Sequence, residues 1–421
     1  MEKLIKNNTI YYLLISISIL FLAIGVTLYM GEYFYGLIFI FLSILIYLLA
    51  NLNSNKKDGF KEFLKQKFKV ILYPLIGIFV SLIVGGIIMI ISGYNPFEAY
   101  AALFYGGFYK NWGTAVINAT PLIFTGLAIA FAFQANLFNI GAEGQYYIGA
   151  MVAAFLGLYI KLPPIFSLLI IFLVGSFIAG IYNIIPAWLK VKTGASEVIT
   201  TMMFAHIARY FSPIFIRSFG GDPTAGSKHP YVTDKILETN RLPTMKSFLP
   251  NADYRIHTGI LIAIVLAIVV YYILFYTKLG YDIRAVGKNI NAAKMQGINT
   301  GKIIFITLII SGMLAGFSGV SQITGLEHKL AQELNAGYGW NGISVALLAS
   351  NDPIAVVFTA LLWGALDAGG QYMQRNIGIS GAIVEIIKGI ILFLVVARYI
   401  YNYFYNKYFK KEEFVSAEER V

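Results

Sequence analysis

The chain has 421 residues, of which 58% are hydrophobic and only 13% charged, with a mean hydropathy of +0.71 and a formal net charge of +11. Such a composition excludes a water-soluble globular domain and indicates a polytopic membrane protein. The lack of cysteine excludes a disulfide framework, a thiolate nucleophile and cysteine-held metal.

Runs of about twenty apolar residues cross roughly 30 Å of hydrocarbon as helices, which satisfy their own backbone groups. They predict an all-α bundle of about eleven spans plus a broken or re-entrant segment. In chain order the spans are 10–30, 34–52, 70–92, 114–133, 146–160, 165–188, 198–216, 258–276, 303–325, 354–372 and 379–399. The first is too long, and too soon followed by a second, to be a cleaved signal peptide, so it reads as a signal anchor. Residues 1–69 form an appended transmembrane hairpin with a basic linker, 70–400 a core, and 401–421 a charged tail.

Basic residues sort by side of the membrane rather than forming a nucleic-acid patch. Lys3, Lys6, the lysines between Lys56 and Lys69, Lys190, Lys192, Lys278, Arg284, Lys288, Lys294, Lys302 and the tail lysines all fall on one face when the spans alternate. The positive-inside rule makes that face cytoplasmic. Eleven crossings would strand the tail outside, so one further limb is required. The apolar stretch 340–350, too short to span and followed by Asn351, Asp352 and Pro353, supplies it, and both termini become cytoplasmic.

The longest polar loop, 219–257, is nearly charge-balanced and rich in proline, which predicts an external surface cap with a possible docking role. Polar groups within apolar segments are costly in lipid and mark either a solute path or helix caps. The densest cluster, 136–145, carries Asn139, Gly141, Glu143, Gly144 and Gln145; both roles stay open for it. Ser196 and Glu197 open a polar helix entry, where capping competes with a path role. Glu385 and Lys388, three apart, suit an ion pair, whereas Asp367, His206 and Arg209 stand isolated. Gly312, Gly316 and Gly319 permit close helix packing.

Between two long apolar runs lies LGYDIRAVGKNINAAKMQGINT, residues 279–300. Asn289 or Asn291 can cap a short helix, Ala292 and Ala293 favour it, and Gly297 can close it, giving about two turns flanked by Gly280 and Gly287. A plain turn would not need this, so the segment is read as a handle for a cytoplasmic partner. With four histidines, no H-E-x-x-H and no G-x-S-x-G, hydrolase and metalloenzyme readings lack their parts. The nearest phosphate loop, GINTGK at 297–302, is one residue short, so any ATP hydrolysis falls to another polypeptide.

Four stretches, FNIGAEGQ (138–145), SEVITTMM (196–203), LGYDIRAVGKNINAAKMQGIN (279–299) and GWNGISVALLA (339–349), resemble the permeases of ABC importers in the branched-chain amino acid, ribose and nucleoside branch. The nucleoside and simple-sugar type fits best. The resemblance implies a type II importer fold and a bacterial plasma-membrane location. Its partners would be a second permease, with a heterodimer favoured, two ATPase subunits that carry ATP with magnesium, and an external binding lipoprotein. It puts Arg284, Ala285, Gly287, Asn291, Ala292, Ala293 and Gly297 in the ATPase-coupling helix. It also puts Asn139, Gly141, Glu143, Gly144, Gln145, Glu197 and Asn341 near the translocation path. The rival readings are a branched-chain amino acid or ribose permease, an ion-coupled transporter using Glu143, Glu197 or Asp367, and a lipid-directed membrane enzyme.

Overall fold

A computed structural model describes residues 80–219, 232–245, 255–332, 334 and 337–396, nearly all in one compact unit, residues 81–397. The two spans and linker expected in 1–69, the tail 401–421, and parts of the loop 219–257 lie outside the described residues. Among the described residues there is no strand, only two isolated bridges, Val232 with Ala331 and Thr244 with His257.

The helices are α1 (Val80–Ile91), α2 (Pro96–Phe104) continuing into a π-helical turn Tyr105–Lys110, α3 (Trp112–Gln134), α4 (Ala142–Tyr159), α5 (Pro164–Tyr182), α6 (Ile184–Thr193) and α7 (Glu197–Phe219). There follow α8 (Gly259–Tyr276), α9 (Lys278–Lys288), α10 (Ile290–Met295), α11 (Thr300–Gln322) with a π-helical extension Ile323–Glu327, α12 (Tyr338–Leu348), α13 (Pro353–Ile377) and α14 (Gly381–Val396). Among the described residues, five helical stretches are long and apolar enough to cross a membrane: Trp112–Gln134, Pro164–Thr193, Gly259–Tyr276, Thr300–Glu327 and Pro353–Ile377. The expected spans 146–160, 198–216 and 379–399 form as α4, α7 and α14, which fall short in length or apolarity. The span expected over 165–188 is interrupted at Asn183, whose side-chain amide donates to the Leu308 carbonyl of α11 at 2.6 Å. An apolar run hides such a break because the interrupting residue is satisfied only by a distant helix.

α3 lies at the centre. Its apolar stretch is 83% buried, against 33% for α8, whose outer face is left for lipid. α11 crosses α4, α5 and α3 at close range, and the glycines make this possible. A Cβ on Gly319 would stand 2.0 Å from the Tyr146 carbonyl, and one on Gly316 would stand 2.5 Å from Ala179 Cβ. The packing role expected for Gly312, Gly316 and Gly319 is thus what these residues do.

α12 is a half-length helix. It lies beside α3 and runs the same way: Thr125 Oγ1 donates to the Tyr338 carbonyl at 2.9 Å, and Gln134 Nε2 donates to the Asn351 carbonyl at 2.9 Å. Ser350 and Asn351 reverse the chain in left-handed backbone conformations. Asp352 then caps α13 by accepting from Ile354 and Ala355 N–H, with Pro353 at the first helical position. The C-terminus of α3, the start of α13 and α9–α10 meet at one end of the bundle. The opposite end carries residues 232–245, which are strapped down by Asn240. Its amide donates to the Gly157 and Ile160 carbonyls at 2.8 and 2.9 Å, and it accepts a hydrogen bond from Ser167.

At this strapped end, His257 is buried against Gly325 and its Nδ1 accepts from the Gly259 N–H at 3.2 Å. Burial, reinforced by the nearby His328, holds its pKa down from 6.5 to about 4. The neutral ring therefore contributes stability that is fully present above about pH 6.5 and is lost as the pH falls toward 4, on the order of 3 kcal/mol. Unfolding temperature should drop across that window in the wild type and drop less in His257→Asn. Parallel pH profiles for the two proteins would refute this.

Candidate functional site: a polar passage and a helical knob

The segment 279–300 is two helices rather than one capped helix. Thr277 caps α9 by accepting from Gly280 N–H at 3.2 Å. Asn289 caps α10 by accepting from Asn291 and Ala292 N–H, both at 3.0 Å, and Gly297 closes the segment at φ +80°. Gly280 and Gly287 are sites of close backbone approach. A Cβ on Gly280 would sit 2.2 Å from the Ile273 carbonyl, and one on Gly287 would sit 2.1 Å from the Gln134 carbonyl, so α9 is seated directly on α8 and on the C-terminus of α3. Arg284, with Ala285 and Gly287, belongs to α9. Its guanidinium lies 5.0 Å from the Phe275 ring centroid and bonds the Gly280 carbonyl, so it braces the knob.

Only α10 and its flanks project. Ala293 is the buried anchor at 2% exposure, while Asn291, Ala292 and Gly297 are exposed. Ile290 and Met295 are exposed at 46% and 92%. Apolar side chains on a rigid tip beyond the long helices suit a protein partner.

The residues expected along the path are not gathered in one place. Asn139, Gln145 and Ser311 form a closed, buried knot joining the turn after α3 to α4 and α11. Asn139 Nδ2 donates to Gln145 Oε1 and Ser311 Oγ at 2.9 and 2.8 Å, and Ser311 donates to the Ala128 carbonyl at 2.6 Å. Gly141 and Gly144 are close-approach sites against Thr201 and Ala205 of α7. Glu143, 3% exposed, caps α12: its two oxygens accept from Gly337 and Gly339 N–H at 2.8 and 2.7 Å. Glu197 pairs with Lys190 at 2.7 Å across the α6–α7 turn. Asn341 lines a cavity near the start of α12.

That cavity, of about 240 Å³, is walled by Asn118 of α3, Tyr338 and Asn341 of α12, Asp367 and Gln371 of α13, and Lys388 of α14. A second cavity of about 560 Å³ adjoins it at Asn118, Tyr338 and Gln371, and carries Arg255, Glu327 and Arg375 toward the strapped end. The inner chamber contains the ion cluster. Lys388, 2% exposed, lies 2.5 Å from Asp367 and 2.6 Å from Glu385, with its ammonium 5.4 Å from the Trp363 ring centroid. The Glu385–Lys388 pair was legible from spacing, whereas Asp367 is not isolated as expected. Its partner lies on another helix, 21 positions on. Asn118 and Gln371 had no signal beyond being polar in apolar helices.

A buried helical core, two adjoining polar cavities beside a half-helix and an exposed short helix at the far end suit a membrane transport component. The chain belongs to the family of permease components of branched-chain amino acid transport systems, whose pattern matches residues 111–396. It is 34% identical over 351 residues to the guanosine ABC transporter permease protein NupP of Bacillus subtilis, covering 82% of this chain and 99% of that one. It is 28% identical over 338 residues to the glucose ABC transporter permease protein TsgB13 of Haloferax volcanii, covering 78% and 88%. A second guanosine ABC transporter permease protein of Bacillus subtilis, NupQ, is 26% identical over 293 residues, covering 68% and 87%. No solved structure matches the chain.

Proposed function

We propose that this protein is the permease subunit of an ATP-binding-cassette importer that carries nucleosides or related simple sugars. The observation that carries the reading is α10, a capped, exposed knob seated through Gly287 on the C-terminus of α3. It suits docking of an ATPase subunit, which would bind ATP with magnesium and do the hydrolysis. The α10 end is then cytoplasmic, as its lysines favour, and the strapped end faces an external binding lipoprotein. The pairing of NupP with NupQ in one organism supports a second, different permease as partner.

The walls of the inner chamber suit such solutes better than branched-chain amino acids. Asn118, Asn341 and Gln371 donate and accept hydrogen bonds, Tyr338 offers an aromatic face, and Lys388 is already held by two carboxylates, so it is not available to a solute carboxylate. An ion-coupled mechanism finds less support. Glu143 is engaged by backbone amides, Glu197 by Lys190 and Asp367 by Lys388. Uptake of labelled guanosine by proteoliposomes holding the whole assembly tests the proposal. Asn118→Leu should lower uptake about tenfold at unchanged folding. Uptake that continues without ATP and collapses with an ionophore would reject it.

A further inference from the structure

The ion cluster in the inner chamber has an unequal charge count. One ammonium, Lys388, faces two carboxylates, Asp367 and Glu385, and all three side chains line the same 240 Å³ space. A buried lysine between two carboxylates is tied in place, since it is the cation that holds these two like charges together. Each carboxylate has two oxygens, and Lys388 engages one of each at 2.5 and 2.6 Å. Asp367 is 21% exposed and Glu385 66%, against 2% for Lys388, so the carboxylates rather than the ammonium carry the accessible surface of the cluster. The outer cavity differs, because Arg255 and Arg375 outnumber Glu327 there.

We propose that the inner chamber is a charge filter for neutral, hydroxyl-bearing solutes. The Asp367 and Glu385 carboxylates accept hydrogen bonds from solute hydroxyls, Lys388 fixes their positions, and the surplus negative charge turns away phosphorylated and carboxylated solutes. The adjoining cavity carries the opposite balance of charge and lies outside this filter. This deepens the importer reading and rests on it for the solute class. Its electrostatic content stands by itself.

The absence of cysteine from the chain makes a direct test available. Gln374, an exposed residue of α13 lining the inner chamber, is replaced in Gln374→Cys, and the full assembly is treated in membranes with a cationic or an anionic methanethiosulfonate. Each labelling rate is divided by that reagent's rate on a free thiol in solution. The cationic reagent should be favoured about tenfold. Adding Glu385→Gln should bring the preference close to unity, and Glu385→Lys should reverse it. Lys388 keeps Asp367 as its buried partner in both variants, so the fold should hold, which an unchanged melting profile verifies. Equal normalised rates in the Gln374→Cys background would overturn the filter. Guanosine should slow labelling and guanosine 5′-monophosphate should not; protection by the monophosphate would also overturn it. If charge preference is present but the assembly takes up no guanosine, the solute assignment fails and the filter survives. Normal uptake with equal rates sinks the filter alone.

Discussion

Ala292→Trp is expected to abolish ATP-driven uptake, by well over tenfold, while the protein folds, inserts and melts as the wild type does. Ala292 is exposed on α10, so the indole meets solvent in the isolated chain and can act only by blocking whatever docks there. Its neighbour provides the contrast. Ala293 is 2% exposed, and the same replacement there overfills a packed seat and should destabilise the protein by about 1–3 kcal/mol or more. Arg284 is a poorer probe, because its charge is stacked on Phe275 and reversal would disturb the α8–α9 corner itself. Co-purification of the ATPase subunits, measured beside uptake, reads docking directly. Retained uptake in Ala292→Trp would remove the role assigned to α10.

A push on α10 has a short physical route to the chamber. α9 bears on the Gln134 carbonyl through Gly287, and the Gln134 side chain donates to the Asn351 carbonyl in the turn between α12 and α13. That turn holds Ser350 and Asn351 in left-handed conformations, which Asn tolerates and Ser takes up only at a cost. The far end of α12 carries Tyr338 and Asn341 into the chamber wall. A displacement of the α12–α13 turn therefore moves chamber residues without any need to bend α3.

Local features were readable from the chain in advance. The Asn289 cap, the Gly297 closure, the half-helix before Asp352–Pro353 and the Glu385–Lys388 pair all depend on residues within a few positions of each other. What was not readable depends on partners far along the chain. Asn139 and Gln145 suit a path or a cap equally from sequence, and the partner that closes their hydrogen bonds, Ser311, lies 172 positions from Asn139. Gly280 and Gly287 read only as glycines flanking a short helix, yet their role is set by carbonyls of α8 and α3. Asp367 looks alone until α14 folds back onto α13. In an apolar chain a polar residue announces that it must be satisfied, but the sequence does not say by what.

Glu143→Ala should cost about 2–4 kcal/mol and lower transport with it, because Glu143 holds the start of α12 in place of a conventional cap. The helix begins at Gly337, at φ +114° and without a side-chain cap of its own, so its leading N–H groups depend on the carboxylate from α4. Alanine would leave the Gly337 and Gly339 N–H groups without an acceptor in the bundle interior, and each costs about 1–3 kcal/mol. No water-sized compensation is easy, since Gly339 packs against the Glu143 backbone so tightly that an added Cβ would lie 2.2 Å from its nitrogen. Glu143→Gln keeps one good acceptor and the side-chain volume, so it should recover about half of the loss. The ordering wild type, glutamine, alanine in unfolding temperature is the discriminating result. Should glutamine and alanine behave alike, the carboxylate's charge rather than its two acceptors would be what α12 requires, and a charge-only role would place Glu143 with the exposed Arg209 instead of with the helix start.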